Sequence, residues 1–319
     1  MKKKAFYALA CVLYLTGCSK TSSIEEIVPP TETYPVQFSL HMEKEVVSFP
    51  QTKSIPDYTI PEPSTSSKEE GDPELNDLCS TIEYVVFKEE DGTPVFSKHR
   101  QLIYDPYNLD DDFGCIYDTL PKGNYTFYFL AHNSGTADLS ESVFSFDELS
   151  DTFYEAYPLR IGAAEEVNEN VTLHRIVSQI EFMATDPVTA SVKQFDMEIT
   201  GRSVRLDIKS GNGIPSADKQ VISHLFTPAE IGAVNTVHSF YTFVPPVGNP
   251  LTAHLSATAQ NDGLLRERQV NNIIPEKNKI IRYKGRLYSN SDSDDTFQIS
   301  IYNNGKWEDV REEDLPDDE

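Results

Sequence analysis

Cysteine is scarce. Four residues in 319 cannot staple a fold together, and two of them, Cys11 and Cys18, fall near the start of the chain. Positive charge is scarce too: 27 Lys+Arg stand against 51 Asp+Glu, for a net charge of -24. Nucleic acid is excluded as a partner, because neutralising phosphates takes a basic stripe. After the first fifteen residues no run approaches the roughly twenty apolar residues that a spanning helix needs. Helical periodicity is rare, and so are catalytic signatures. There is no H-E-x-x-H, no G-x-S-x-G elbow, no P-loop and no G-x-G-x-x-G, so neither a catalytic residue nor a cofactor is expected. The seven histidines are scattered. His132, His174 and His254 lie in or beside strand-like runs with no second histidine at metal-ligand spacing, and no metal site is expected from them. Asp110 to Asp112 and Asp292 to Asp295 offer hard oxygens, but neither has the spaced D-x-[DN]-x-[DN]-G pattern of a calcium loop, and both read as solvated turns.

What the chain does have begins at its first residues. Lys2, Lys3 and Lys4 precede an apolar run from Ala5 to Leu15, and Thr16, Gly17 and Cys18 follow. A basic head, a short apolar stretch and a small residue before the cut make a secretory signal over residues 1–17. Leu15-Thr16-Gly17-Cys18 resembles the bacterial lipobox, which implies lipidation of Cys18 as the mature N-terminus. Cleavage there removes three lysines and takes the net charge from -24 to -27. Attachment to a membrane would rest on the acyl chains, since the polypeptide itself is repelled by an anionic surface.

Residues 18–35, rich in Ser, Thr, Glu and Pro, read as a flexible tether, and Ile55 to Asp72 as a long loop. Period-two alternation then dominates. It marks Val36/Phe38/Leu40, Ile82/Tyr84/Val86, Tyr125/Phe127/Phe129/Ala131, Ile176/Ile180/Phe182 and Phe195/Met197/Ile199. It continues through Val204/Leu206/Ile208, Ala253/Leu255/Ala257/Ala259 and Phe297/Ile299/Ile301. Two capping-box patterns, Ser145 to Glu148 and Thr227 to Glu230, predict short helices. Many short strands with few helices predict an all-β chain of antiparallel sandwiches with Greek-key connections. The polar stretch Ala163 to Asn170 places the boundary between an N-terminal domain over 36–165 and a C-terminal domain over 166–288. A terminal hairpin and acidic tail occupy 289–319, with Trp307 after the Asn303-Asn304-Gly305 turn. Cys79 and Cys115 are left open between a disulfide, plausible for an exported chain, and two free thiols. The 17 Phe and 16 Tyr are read first as core residues, although exposed aromatics would suit a glycan-binding protein.

Several segments, in order, resemble one family. Leu120-Pro121-Lys122-Gly123-Asn124-Tyr125 resembles the L-P-x-G-x-Y turn of transthyretin-like sandwich domains. Val171 to Glu181 is similar to the strand that opens the second domain of Bacteroidetes fimbrial proteins. Asn278 to Leu287 is similar to that family's closing strand, and Phe297 to Ile301 with Trp307 resembles its terminal hairpin. The resemblance to the minor-fimbrium anchoring subunits of type V pili implies two transthyretin-like sandwiches in tandem and an outer-membrane lipoprotein exposed at the cell surface. It implies pilin subunits as partners, joined by β-strand complementation, with no small-molecule substrate and no enzymatic activity. Phe297, Ile299, Ile301 and Trp307 are then candidates for subunit contact. No arginine precedes Arg100, which suits an anchor that keeps its N-terminal lipid better than a subunit trimmed by an arginine-specific protease. A tip or shaft subunit and a glycan-binding surface lipoprotein are the alternatives.

Overall fold

A computed structural model describes residues 32–43, 46, 48–49, 74–108, 112–162, 166–290 and 296–303. Nineteen strands run through them. They are β1 (Thr33–Met42), β2 (Thr81–Glu90), β3 (Thr93–Ile103), β4 (Cys115–Pro121), β5 (Gly123–His132), β6 (Ala137–Ser140) and β7 (Val143–Phe146). Next come β8 (Thr152–Ile161), β9 (Val167–Arg175), β10 (Val177–Ala184), β11 (Val192–Thr200), β12 (Arg205–Asp207) and β13 (Asn212–Gly213). The last are β14 (Gln220–Leu225), β15 (Val237–Phe243), β16 (Leu251–Ala259), β17 (Leu264–Ile273), β18 (Lys279–Gly285) and β19 (Gln298–Asn303). One α-helical turn, Leu75–Leu78, and one 3-10 turn, Pro228–Glu230, complete the secondary structure of these residues.

The alternation read from sequence is what builds the first lobe. Val36, Phe38, Leu40 and Met42 point inward from β1 and meet Ile82, Tyr84 and Val86 of β2 and Phe127 and Phe129 of β5. Phe38 lies 4.7 Å from Phe127 and 5.1 Å from Phe129, ring centre to ring centre. The sheet order is β3-β2-β5-β8-β9-β1-β4, with β1 parallel to β9 and antiparallel to β4. Only Phe153 and Tyr154 of β8 pair with β9. The short β4-β1-β9 layer therefore packs over the β3-β2-β5-β8 layer around a shared aromatic core.

The second lobe is a sandwich of two four-stranded sheets, β15-β10-β18-β19 and β14-β11-β16-β17. β16 shows why: Leu251, Ala253, Leu255 and Ala257 face the core while Thr252, His254, Ser256 and Thr258 face out. β10 is different, because it is buried along its whole length. Its polar residues must therefore find partners inside. Glu181 meets Arg282, whose Nε donates to it at 2.6 Å, and Ser178 donates to the Lys279 carbonyl at 3.1 Å.

A third core joins the lobes. Phe87 and Tyr128 of the first lobe, Phe144 and Phe146 of β7, Leu206 of β12, and Tyr241, Phe243 and Ile280 of the second lobe pack together. The small β13-β12-β7-β6 sheet takes strands from both halves of the sequence. At this junction Arg175 is almost fully buried. Its Nε and Nη2 donate to the two oxygens of Asp151 at 2.6 and 2.8 Å, and its Nη1 donates to Asn278 Oδ1 at 2.9 Å. Its guanidinium also lies 3.8 Å from the Phe49 ring centre. Asn278 in turn donates through its backbone N–H to the Val177 carbonyl at 2.9 Å and through Nδ2 to Glu43 at 3.2 Å. From Thr33 onward the described chain is one compact unit.

Two sequence expectations change here. Val167–Arg175, assigned to the second domain, is β9 of the first lobe's sheet, because Val171 and Leu173 bury against β1 and the first core. β8, which ends at Ile161, and β9 are neighbours in that sheet. Ser145 to Glu148 does not open a helix: Ser145 and Phe146 end β7, and burial of Phe144 and Phe146 in the junction outweighs the local capping pattern. The second capping box forms as read. Glu230 accepts from the Thr227 N–H at 2.7 Å, and the turn is a single 3-10 turn.

Candidate interaction site

No described helix is long and apolar enough to cross a membrane, and no cluster of three metal-ligating side chains occurs among the described residues. The features left to weigh are the sheet edges and the terminal strand that sequence pointed to.

β19 pairs antiparallel with β18, from Lys279↔Asn303 to Lys284↔Gln298, and forms the end of its sheet. Its far edge pairs with no described strand. Gln298-Ile299-Ser300-Ile301-Tyr302-Asn303 carries no charge and no proline. Ile299 and Ile301 are half-buried against the second core, and Tyr302 reaches the junction core with the Arg282 guanidinium 5.1 Å from its ring centre.

Phe297 is a core residue and is not free to meet a partner. Arg268 lies 3.5 Å over its ring, and Tyr283 meets it edge to face at 6.1 Å. This stack explains Gly285 at the end of β18. A Cβ there would stand 2.7 Å from Phe297 Cδ1 and 2.9 Å from an Arg268 nitrogen. Next to it, Asp186 accepts from the backbone N–H groups of Leu287, Tyr288 and Ser289 at 2.8, 3.0 and 2.8 Å, fixing the segment after β18. Ile299 and Ile301, by contrast, are only half-buried. Cys18 and Trp307 lie outside the described residues, as do Asp110, Asp111 and Asp292 to Asp295.

Cys79 and Cys115 are free thiols, the second of the two states left open by sequence. Cys79 is buried in the first core, and burial pushes its thiol well up from the ordinary range, so it is protonated and unreactive there. Most of the scattered histidines have a side-chain partner, His41 the Asn170 amide oxygen at 3.3 Å. His174 meets Glu43 at 2.9 Å, His99 meets Glu83 at 2.6 Å, and His254 meets Glu267. His238 is the exception in chemistry. It is buried against Phe195, with Nε2 2.7 Å from the Tyr288 hydroxyl, and burial drives its pKa down to about 3. Its sequence neighbours Val237, Ser239 and Phe240 gave no sign of this, because the environment comes from β11 and from the segment after β18.

No family model matches the chain, and no curated protein matches it either. Solved structures do. The chain is similar to the fimbrial anchor protein Mfa2 of Porphyromonas gingivalis, at 10% identity over 85% of this chain and 98% of that one, with a TM-score of 0.44. It is similar to the tip fimbrial protein Mfa3 of the same organism, in a C-terminally truncated form, at 10% identity over 85% and 100%, with a TM-score of 0.43. A fimbrial assembly protein from Parabacteroides distasonis aligns at 9% identity over 85% and 95%, with a TM-score of 0.39.

Proposed function

We propose that the chain is a structural lipoprotein of a surface fimbrium. It is acylated at Cys18, tethered by the following residues to the outer membrane, and joined to pilin subunits by addition of a β-strand. The sequence pattern Leu15 to Cys18 and the ordered motifs at Leu120, Val171 and Asn278 support this reading. The observation that carries it is the order of those segments, from the lipobox-like Leu15 to Cys18 through to the strand after Asn278, and strand addition is the mode by which a sheet edge accepts a neighbour through backbone hydrogen bonds. The missing arginine before Arg100 favours the anchoring or length-limiting role over that of a trimmed shaft subunit. In this role the protein is non-enzymatic and needs no cofactor.

A clean gene deletion tests the role, with fimbriae scored by electron microscopy on cells and in the spent medium. Fimbriae shed into the medium, and longer than normal, are expected. Loss of fimbriae everywhere would make the chain a shaft or initiating subunit, and unchanged fimbriae on cells would end the fimbrial reading. Labelling with an alkyne fatty acid should mark the chain and fail in Cys18→Ala.

A further inference from the structure

Natural sheets blunt their edges with lysine, proline, bulges or covering segments, because a bare edge recruits other strands. Three of the edges here are blunted. β3 carries Pro94, Lys98 and Arg100 and a register shift against β2. β17 carries Arg266, Glu267 and Arg268 and two register shifts against β16. β15 is covered where its Phe243 N–H donates to the Ser203 carbonyl at 2.9 Å and its Tyr241 carbonyl accepts from Arg202 Nε at 2.9 Å. Among the described residues β14 has no such device. Gln220-Val221-Ile222-Ser223-His224-Leu225 contains no proline and no full charge, and its register against β11 is unbroken.

The geometry of that edge is specific. Phe226 donates to the Lys193 carbonyl at 3.0 Å, so counting back by two, His224, Ile222 and Gln220 turn their backbones toward β11. Val221, Ser223 and Leu225 turn theirs outward, where no described strand pairs with them. Their side chains lie on the outer face, with Val221 57% and Leu225 62% exposed, and Ile231 and Val234 of the following loop are about as open at 49% and 52%. On the inner side a cavity of about 170 Å³ opens between β14 and β15, lined by Phe195, Met197, Ile222, His224, Val237 and His238. A bare edge, an apolar outer rim and an empty space at the inner rim are what a strand with alternating side chains would use.

We propose that β14 is a docking edge for an extended segment of a partner protein. The segment is uncharged over about six residues, apolar at every second one, and basic at its flanks. Charge selects this occupant. The edge carries no full charge while the chain carries -24, so its field draws in a cationic segment. The same field repels a second copy of this chain and the acidic stretch Glu312 to Glu319. The β14 edge is independent of the fimbrial reading, and either can fail alone.

The test is the full chain in detergent with a labelled synthetic peptide of three Val-Thr repeats between lysine pairs, followed by fluorescence anisotropy and amide NMR. The peptide should bind and move the Val221, Ser223 and Leu225 amide resonances. Ser223→Pro removes an outward N–H without touching the β11 ladder, and it should weaken binding by about tenfold or more. Leu225→Lys should weaken it as well, and so should glutamates in place of the peptide's lysines. Absence of binding, binding indifferent to Ser223→Pro, or shifts confined to another edge would overturn the proposal. So would self-association of the chain abolished by Ser223→Pro, which would make a second copy the occupant.

Discussion

The two lobes solve burial in the same way and differ at their edges. In the first, the outermost strands β3 and β4 are tied by side chains. Lys98 donates to Asp118 at 2.5 Å, Tyr84 donates to the same carboxylate at 3.0 Å, and Arg100 donates to the Tyr117 carbonyl at 3.1 Å. In the second, β14 and β19 end their sheets with uncharged, proline-free strands. The lesson is that core packing does not reveal which lobe is built to meet other chains. That information sits in a few residues per edge strand.

The largest effect is expected where the lobes are tied together. Arg175→Leu would leave Asp151 buried without its partner and release Asn278. A loss of about 3–5 kcal/mol is expected, read by urea unfolding. Two separated transitions would show that the lobes are independent once the latch is gone, whereas a loss below about 1 kcal/mol would deny the latch its role.

The next perturbation is confined to the second lobe. Gly285→Ala forces a methyl group into the Arg268–Phe297 stack, for a cost of about 1–3 kcal/mol. Hydrogen exchange should rise in β18 and β19 and stay unchanged in β2 and β5. Equal changes in both lobes would contradict the assignment of this strain.

Acid should separate the lobes as well. The His238 pKa falls from 6.5 to about 3 on folding, so its contribution is present above pH 6.5 and is lost as pH falls toward 3, at about 1.4 kcal/mol per unit. Glu181 runs the opposite way. Burial raises it despite Arg282, so its contribution is present below pH 4.5 and is lost as pH rises through its folded pKa. In the first lobe Glu83 is held below 4.5: burial would raise it, but hydrogen bonds from His132, Gln101 and His99 together prevail. Its contribution is present above pH 4.5 and is lost only below that. Between pH 6.5 and 4.5 His238 therefore weakens the second lobe as pH falls while Glu181 acts against it, and His238→Gln should remove the weakening part of that slope in exchange or calorimetric measurements. An unchanged slope would place the acid sensitivity elsewhere.

The smallest effect sharpens the contrast between edge and core. Val221→Lys should alter stability by less than about 0.5 kcal/mol, because the side chain is open to water. A larger loss in thermal unfolding would mean that β14 is covered.

Strands that bury one face and wet the other were legible from sequence, as with Phe195/Met197/Ile199 in β11 and Ala253/Leu255/Ala257 in β16, where Ala259 is only half-buried. β3 was not, because it is exposed along most of both faces and carries no period. β7 was misread, because Ser145 and Glu148 mimic a helix start while Phe144 and Phe146 answer to a core formed by the other lobe. The domain boundary was placed too early for a related reason. Polarity marks a turn, and it does not say whether the next strand returns to the same sheet. Of the candidate contact residues, Ile299 and Ile301 lie half-buried on β19, while Phe297 is held by Arg268, which is twenty-nine positions earlier in the chain. The β14 edge left only a negative trace, a run without charge or proline in an acidic chain.

Composition and periodicity alone determined that this chain is acidic, rich in strands and built around aromatic cores, because side-chain alternation and net charge are local properties. Only the tertiary structure decided that β9 belongs to the first lobe, that Arg175 locks the lobes through Asp151 and Asn278, and that β14 and β19 end their sheets. Those outcomes depend on which distant backbone or carboxylate arrives beside a residue, and that is set by how the sheets stack.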